Sequence, residues 1–300
     1  MIGAVLALAL QAGGAGPAAD PIADFIEDNA ASVREMRIAA APASFCSGTF
    51  REGSFLVCRF LPDARVEFGD MDVRADTDGY VMLAIPRQAP DEMPLRITYT
   101  RTDGVPGEIA ERVTIAQREY DLQQVNGVPQ ATVTPDPSTL PRRQREYAQK
   151  QDAFNSVWDG TGFLDGFIPP AEGITTGVYG SARVYNNGHE GSPHWGLDWA
   201  NDVGTPVHAP AGGLVTLAEP DMYYEGGLIF IDHGQGLTSA FLHLGAVNVD
   251  VGQEVAQGEV IGEVGSGGRS TGAHLDWRIK WHNRYIDPAE ALAVDPSGLR

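Results

Sequence analysis

Short apolar segments separated by turn residues make up residues 43–128. Phe55–Phe60, Tyr80–Ile85 and Leu95–Thr100 have the composition of β-strands, and Asp76–Gly79 has that of a hairpin turn. Several short strands at this spacing predict a small antiparallel, β-sandwich-like module. No cluster of His, Cys and carboxylate residues occurs in this part of the sequence, so we expect the module to serve structure or recognition.

A second β-rich block occupies residues 166–294. Gly213–Leu217, Gly227–Asp232, Leu237–Leu242 and Val255–Gly262 are apolar, glycine-punctuated segments typical of strands. The block has no long helical period, which disfavours a parallel α/β fold. The fold class that we predict for the chain is therefore mostly β.

Residues 129–165 join the two β-rich parts. Four prolines between positions 129 and 141 indicate a semi-stiff, Pro-rich linker. The charged stretch from Arg142 to Phe154 predicts a helix on the surface. Residues 295–300 are expected to form a short tail.

The N-terminus predicts export. Residues 1–19 contain an apolar run followed by small residues, which resembles a secretory signal peptide. The usual basic region is absent, and a buried N-terminal helix is the alternative. Residues 20–42 form an N-terminal segment that could be helical. The chain has no apolar run of the roughly 18 residues that a transmembrane helix needs.

The two cysteines, Cys46 and Cys58, also support the prediction that the protein is exported. They flank a segment that reads as a strand, a tight turn and a returning strand, centred on Glu52. Both cysteines lie six residues from that centre, so the hairpin places them opposite each other, where a disulfide can form. Two buried free thiols are the alternative. We expect an oxidising compartment, the periplasm or the cell envelope.

Composition narrows the range of partners. The 21 Lys and Arg residues against 40 Asp and Glu residues give a formal charge of −19 and a sequence pI near 4.6. A field of this sign repels phosphate backbones, so no nucleic-acid partner is expected. The 43% of hydrophobic residues is enough to form cores, which excludes wholesale disorder.

Imidazole and carboxylate side chains recur at short spacings in the C-terminal block. His194 and Asp198 are four residues apart, and His274 and Asp276 are two apart. Because side chains at even separations share one face of a strand, each pair can point into one groove. His243 ends a further strand. A single His is more often a core or surface residue, but this combination offers nitrogen and oxygen ligands of the kind that zinc binds.

Several segments resemble the lysostaphin-type (LytM-type) zinc endopeptidases, which cut peptidoglycan peptides. The similarity covers about residues 173–290, and the motifs occur in the family's order. They are His-Trp-Gly-Leu-Asp at 194–198, Gly-Thr-Pro-Val-His-Ala-Pro at 204–210, Phe-Leu-His-Leu at 241–244 and Ser-Thr-Gly-Ala-His-Leu-Asp-Trp at 270–277. The resemblance implies an antiparallel β-peptidase domain with one zinc ion in a narrow groove, and peptidoglycan stem peptides as the substrate.

The resemblance also implies roles for individual residues. The family's first two zinc ligands fall on His194 and Asp198, and its two catalytic imidazoles fall on His243 and His274. The third ligand position, usually His, is occupied here by Asp276. A carboxylate can bind zinc, so the site either works with altered ligation or has lost its metal. The two carboxylates would reduce the ion's effective charge and favour harder metals.

Other residues are candidates for substrate contact. Arg183 and Asn187 lie on the approach to His194, and Tyr223 and Tyr224 could line the groove. The predicted function is a zinc-dependent endopeptidase that hydrolyses peptidoglycan cross-links with metal-activated water. The main alternative is a catalytically inactive module that binds the wall or activates an amidase. A lipoyl-type carrier domain fits poorly, because Lys280 is the only lysine of the block.

Overall fold

The structure is a computed structural model that describes residue 32 and residues 34–186 and 188–299. The predicted signal peptide at 1–19, most of the 20–42 segment and Asn187 lie outside the described residues. Residues 34–40 are helical. None of the helices in the described part of the chain is both long and apolar enough to cross a membrane.

The N-terminal part contains two antiparallel sheets. One has the order β1-β2-β5 and the other the order β4-β3-β6-β7. Along β6, buried and exposed side chains alternate, because successive residues of a strand point to opposite faces. The strands are β1 (Cys46–Ser47), β2 (Phe55–Arg59), β3 (Arg65–Phe68), β4 (Met71–Arg74), β5 (Tyr80–Ala84), β6 (Glu92–Thr100), β7 (Pro106–Thr114) and β8 (Leu122–Val125).

The cysteine prediction is confirmed in this part. Cys46 and Cys58 are directly opposed in the β1–β2 pair, and a disulfide joins them. A short 3-10 helix, Pro42–Phe45, precedes β1.

The linker is helical and ordered against the C-terminal part. It contains α1 (Gln130–Val133), a 3-10 turn at Pro137–Thr139 and α2 (Leu140–Phe154), and a second 3-10 turn follows at Gly162–Asp165. Two prolines stand in the first turns of Pro137–Thr139 and α2, where a missing N–H costs nothing.

The C-terminal part is built on one ten-stranded sheet with antiparallel pairs. Its main path is β17-β14-β15-β16-β19-β12-β9, with β13, β18 and β20 attached at the side. The elements are β9 (Ile174–Gly177), β10 (Ala182–Tyr185), β11 (His189–Glu190), β12 (Gly196–Ala200), β13 (Pro206–His208), β14 (Gly213–Met222), β15 (Gly226–Asp232), β16 (Leu237–Val247), β17 (Glu254–Val255), β18 (Val260–Val264), β19 (His274–Trp281), β20 (Arg284–Ile286), α3 (Pro288–Ala291) and a 3-10 turn at Pro296–Leu299.

Helix α2 covers one face of this sheet. In the central strand β15, Ile229 and Ile231 pack into the main core, whereas Leu228 and Phe230 pack into a second cluster with Phe154 of α2. Both faces of β15 are therefore buried, which explains its continuous apolar sequence. The fold is mostly β, as the sequence predicts.

The two parts of the chain are in close contact. The main core includes residues of both, and β8 pairs in parallel with β10 of the C-terminal part, in a small sheet that also contains β11. Arg118 forms a partly buried ion pair with Asp287, and Asp287 N–H donates to the Gly53 carbonyl. The N-terminal part therefore helps to form the surface next to the candidate site.

Candidate active site

Three polar side chains meet in the interior of the C-terminal sheet. Asp198 of β12 and Asp276 of β19 are opposed cross-strand partners, so their side chains lie on the same face. His194 lies just before β12, in a loop held by hydrogen bonds with Gly180 and Ser181. Its Nε2 is 3.0 Å from Asp198 Oδ1 and 3.5 Å from Asp276 Oδ1. All three residues are buried.

Each carboxylate also has its own guanidinium partner. Arg183 Nη2 lies 2.7 Å from Asp198 Oδ2, and Arg278 Nη2 lies 2.6 Å from Asp276 Oδ2. Arg278 Nε is within 3.1 Å of both Asp276 oxygens. In both pairs Oδ2 faces the arginine and Oδ1 faces the imidazole, and Asp276 Oδ1 also contacts Arg278 Nε. Such outer contacts fix the orientation of a ligating carboxylate.

The surrounding charges keep both carboxylates ionised. Burial would raise the pKa of Asp276, but Arg278 and then His194 hold that pKa well below its usual range. For Asp198, burial and the charge of Asp276 are outweighed by His194 and Arg183, and the pKa is lowered. Burial opposes the charged form of His194, yet the two carboxylates raise its pKa. Both carboxylates are thus held in the ionised form, which is the form that can bind a cation.

A divalent cation fits this donor set. His194 Nε2 and Asp198 Oδ1 are buried atoms without a hydrogen-bond partner, although both groups normally need one. His194 Nδ1–H donates to the Val178 carbonyl at 3.1 Å, so Nε2 is the ring nitrogen that faces the carboxylates. One ligand atom from each of His194, Asp198 and Asp276 lies within 4.8 Å of the others. Imidazole with two carboxylates is a donor set that zinc and harder divalent metals accept.

Two further imidazoles lie beside this cluster. The rings of His243 and His274 are 4.7 Å apart, and both line the same groove. His243 Nδ1–H donates to the Gly267 carbonyl at 2.8 Å, and His274 Nδ1–H donates to the Gly272 carbonyl at 2.9 Å. Because a carbonyl only accepts, Nδ1 of each ring is the donor in these bonds, and Nε2 is the ring nitrogen left for other contacts.

The environment of His243 is adapted to a neutral ring. Complete burial, and then the charge of His274, lower its pKa to about 4. Its backbone has a φ of 65°, in the left-handed region that is costly for a non-glycine residue. The His243 N–H donates to the Glu225 carbonyl at 2.7 Å, which helps to hold this conformation.

The groove has a cavity volume of about 270 Å³. Tyr224 lines it, whereas the Tyr223 hydroxyl donates to the Ala131 carbonyl beside it. Arg183 also lines the groove, but its guanidinium holds Asp198. The structure therefore brings together His194, Asp198, Asp276, His243 and His274.

Three charged residues that line the groove, two arginines and one glutamate, were not predicted from the sequence. Arg278 holds Asp276, Glu225 supplies the carbonyl that binds His243, and Arg269 lies in the groove wall. The spacing of Arg278 was a usable signal, because Arg278 is two residues after Asp276 and so shares its face of β19. Arg269 and Glu225 lie on connections whose course the pattern does not reveal.

Together, the antiparallel sheet, the buried imidazole–carboxylate cluster and the adjacent imidazole pair define a β-sheet protein with a candidate metal site beside two imidazoles. Comparison with known proteins then gives the family. Residues 192–288 match the model of Peptidase family M23. This part of the chain is a Peptidase family M23 domain, as the resemblance to the lysostaphin-type enzymes predicts.

The curated relatives are similar to about a third of the chain. The peptidoglycan DD-endopeptidase ShyA of Vibrio cholerae is 35% identical over 100 residues, which are 33% of this chain and 23% of the relative. The DD-carboxypeptidase/endopeptidase Mpg of Neisseria meningitidis is 38% identical over 103 residues, which are 34% of this chain and 24% of the relative. The chain thus spans about a quarter of the length of these relatives.

One solved structure is similar over most of the chain. The crystal structure of a protein described as a peptidase M23 from Pseudomonas aeruginosa aligns with a TM-score of 0.59 and 28% identity. The alignment covers 81% of this chain and 95% of that one. The similarity therefore extends beyond the M23 domain into the N-terminal part.

Proposed function

We propose that this protein is a metal-dependent endopeptidase that cleaves peptide cross-links of peptidoglycan, with one zinc ion held by His194, Asp198 and Asp276. The observation that supports this most strongly is that Asp198 and Asp276 line one groove with the His243–His274 pair, while the buried His194 contacts both carboxylates. Three protein ligands leave a coordination position open, which is the arrangement of catalytic zinc sites.

The metal would act as a Lewis acid that polarises the scissile carbonyl and activates water. The chain's own residues supply the proton transfers and the orientation. His243 is neutral at pH 7 because burial lowers its pKa to about 4, so its Nε2 lone pair can accept a proton. The Nδ1–H of His243 is fixed by the Gly267 carbonyl, which keeps that lone pair on the groove side.

His274 would complete the pair from the opposite strand. Its Nδ1–H is held by the Gly272 carbonyl, and Ser270 Oγ lies 3.2 Å from the same nitrogen. His274 Nε2 is therefore available to receive a proton and pass it to the leaving amine. Arg183 and Arg278 keep Asp198 and Asp276 aligned towards the metal position.

The substrate and the compartment come from the relatives and the disulfide. ShyA is described as a peptidoglycan DD-endopeptidase and Mpg as a DD-carboxypeptidase/endopeptidase. The residues that match the family model, 192–288, include the site. A groove that carries peptidase chemistry and a Cys46–Cys58 disulfide fit an exported protein acting in the periplasm or envelope. Stem peptides of the wall are thus the substrate that we propose.

A second candidate function is a catalytically silent module that binds the wall or activates an amidase. The bidentate hold of Arg278 on Asp276 favours it, because the carboxylate already has a cationic partner. In this alternative, the Asp276–Arg278 pair would replace the metal as the support of the groove.

Two measurements on the full chain separate these functions. Metal analysis after purification should give about one zinc per chain, and purified sacculi should release cross-linked peptides in a reaction that a chelator stops. His243→Ala should keep the metal and lose cleavage, since it removes only the proton acceptor. A protein that binds no metal and leaves sacculi intact contradicts the enzyme and supports the silent module.

A further inference from the structure

Within the described part of the chain, one of the charged groups that line the groove has no ion-pair partner. Three carboxylates and three arginines contribute to the lining. All three carboxylates and two of the arginines are in ion pairs, which are Asp198–Arg183, Asp276–Arg278 and Glu225–Lys150. The remaining cation is Arg269. Across the described ranges, 34–186 and 188–299 with residue 32, Arg269 is in no ion pair with a carboxylate.

Two tyrosine rings hold the Arg269 guanidinium in place. Its Cζ lies 4.8 Å from the centre of the Tyr185 ring and 5.4 Å from that of Tyr224. The backbone N–H of Arg269 donates to the Tyr224 carbonyl at 2.8 Å, which fixes the main chain at this position. A guanidinium that contacts aromatic rings through its flat face keeps its N–H groups, which lie in the plane, available at the edge. The side chain is therefore ordered before any ligand binds.

The chemistry of this position is specific for a planar anion. The edge of a guanidinium matches a carboxylate with two parallel hydrogen bonds. The formal charge of the chain is −19, so the long-range field attracts no anion, and recognition must come from a fixed local cation. Arg269 also lies in the connection that leads to His274, five residues later. A ligand held by Arg269 would thus be positioned relative to the reacting pair.

We propose that Arg269 is the specificity-determining residue of the groove and binds a free carboxylate of the substrate peptide. The inference rests on the proposed function, because it takes the groove as a peptide site. The groove then selects acidic stem peptides in preference to the same peptides with amidated carboxylates. A purely structural role for Arg269, as a clamp between Tyr185 and Tyr224, is the alternative.

A binding experiment that needs no turnover tests the proposal. The probes are a synthetic stem tetrapeptide with free carboxylates and the same peptide with its carboxylates amidated. Their dissociation constants for the full, chelator-treated protein are measured by calorimetry. We expect the free acid to bind the wild type about tenfold more tightly than the amide, as charge-assisted hydrogen bonds allow.

Variants then assign the preference to Arg269. R269Q should bind the free acid about tenfold more weakly, so that both peptides bind alike. R269K should retain only part of the preference, because lysine keeps the charge but lacks the planar fork of arginine. R145Q removes the same charge from an exposed position of α2 and should keep the full preference. Circular dichroism checks that each variant is folded.

The outcomes are distinct. A wild type without preference for the acid, or a folded R269Q that keeps the preference, overturns the inference and supports the clamp. If the preference depends on Arg269 while sacculi stay uncut, the carboxylate site stands and the endopeptidase proposal fails. If sacculi are digested but the two peptides bind alike, the endopeptidase stands and the role of Arg269 is refuted.

Discussion

Asp198 and Asp276 face each other directly across β12 and β19, although both are carboxylates buried in the core of the sheet. Like charges at opposed positions destabilise a sheet, and buried ions pay a large desolvation penalty. Arg183 and Arg278 offset this cost from the outside, and His194 does so from the inside. The site is therefore built to persist before a metal binds, and its arginines compete with the metal for the carboxylates.

This competition predicts the behaviour of Arg278→Met. Without the guanidinium, Asp276 is a buried carboxylate with fewer cationic partners, so the metal-free protein should lose about 3 kcal/mol of unfolding free energy. Zinc would then supply the missing charge, and it should raise the melting temperature of the variant by more than it raises that of the wild type.

Differential scanning calorimetry with and without zinc measures both effects, and Arg145→Met on the exposed face of α2 is the matched control. Asp276→Ala should show little zinc-induced stabilisation. If Asp276→Ala responds to zinc like the wild type, then Asp276 is not a ligand.

The carboxylate pair also depends on a neighbouring glycine. A Cβ at Gly196 would lie 2.1 Å from Asp276 Oδ1 and 2.8 Å from Arg278 Cγ, closer than any real contact. Gly196→Ala should therefore push Asp276 away from His194 and reduce zinc affinity by about tenfold or more.

Zinc titration with a competing chelator provides the measurement. At Gly298 a Cβ would meet nothing within 4 Å, so Gly298→Ala should bind zinc like the wild type. Unchanged zinc affinity in a folded Gly196→Ala protein would refute this account of the site.

The alternation of apolar and polar residues predicted the mostly β fold, and the motifs predicted the five residues that converge at the site. Strand alternation contributed to the second prediction because it fixes which side chains share a face. The alternation and the motifs did not show that β8, inside the predicted N-terminal module, pairs with β10, since a parallel pairing between segments about 60 residues apart leaves no local signal. Nor did they show that Arg183 holds Asp198. Such contacts depend on how loops and separate parts of the chain pack, which hydrophobic spacing does not encode.

His233 predicts a pH dependence of stability that is independent of the metal site. Burial lowers its pKa to about 4 from the usual 6.5, with Nδ1–H donating to the Gly212 carbonyl and Nε2 accepting from Ser239. Below pH 6.5 His233 binds a proton in the unfolded chain but not in the folded state. The stability that His233 supplies above pH 6.5 is therefore lost as the pH falls towards 4.

Between pH 7 and pH 5 this loss amounts to about 2 kcal/mol. His233→Asn should be less stable than the wild type at pH 7, but its unfolding free energy should fall by about 2 kcal/mol less over this interval. Denaturant unfolding at several pH values gives the comparison. Parallel curves for the two proteins would show that His233 does not titrate as described.

Helix α2 supports the groove through one charged pair. Lys150 of α2 pairs with Glu225, whose other carboxylate oxygen is buried without a hydrogen-bond partner, and the Glu225 carbonyl holds His243 N–H at 2.7 Å. Lys150→Met leaves a buried carboxylate without its cation, so we expect a loss of about 2–4 kcal/mol of unfolding free energy and weaker cleavage. Adding Glu225→Gln removes the orphaned charge and should restore most of the stability, which a double-mutant cycle by denaturant unfolding measures. Arg145→Met should change neither quantity. If the double variant is no more stable than Lys150→Met, the helix does not support the groove through this pair.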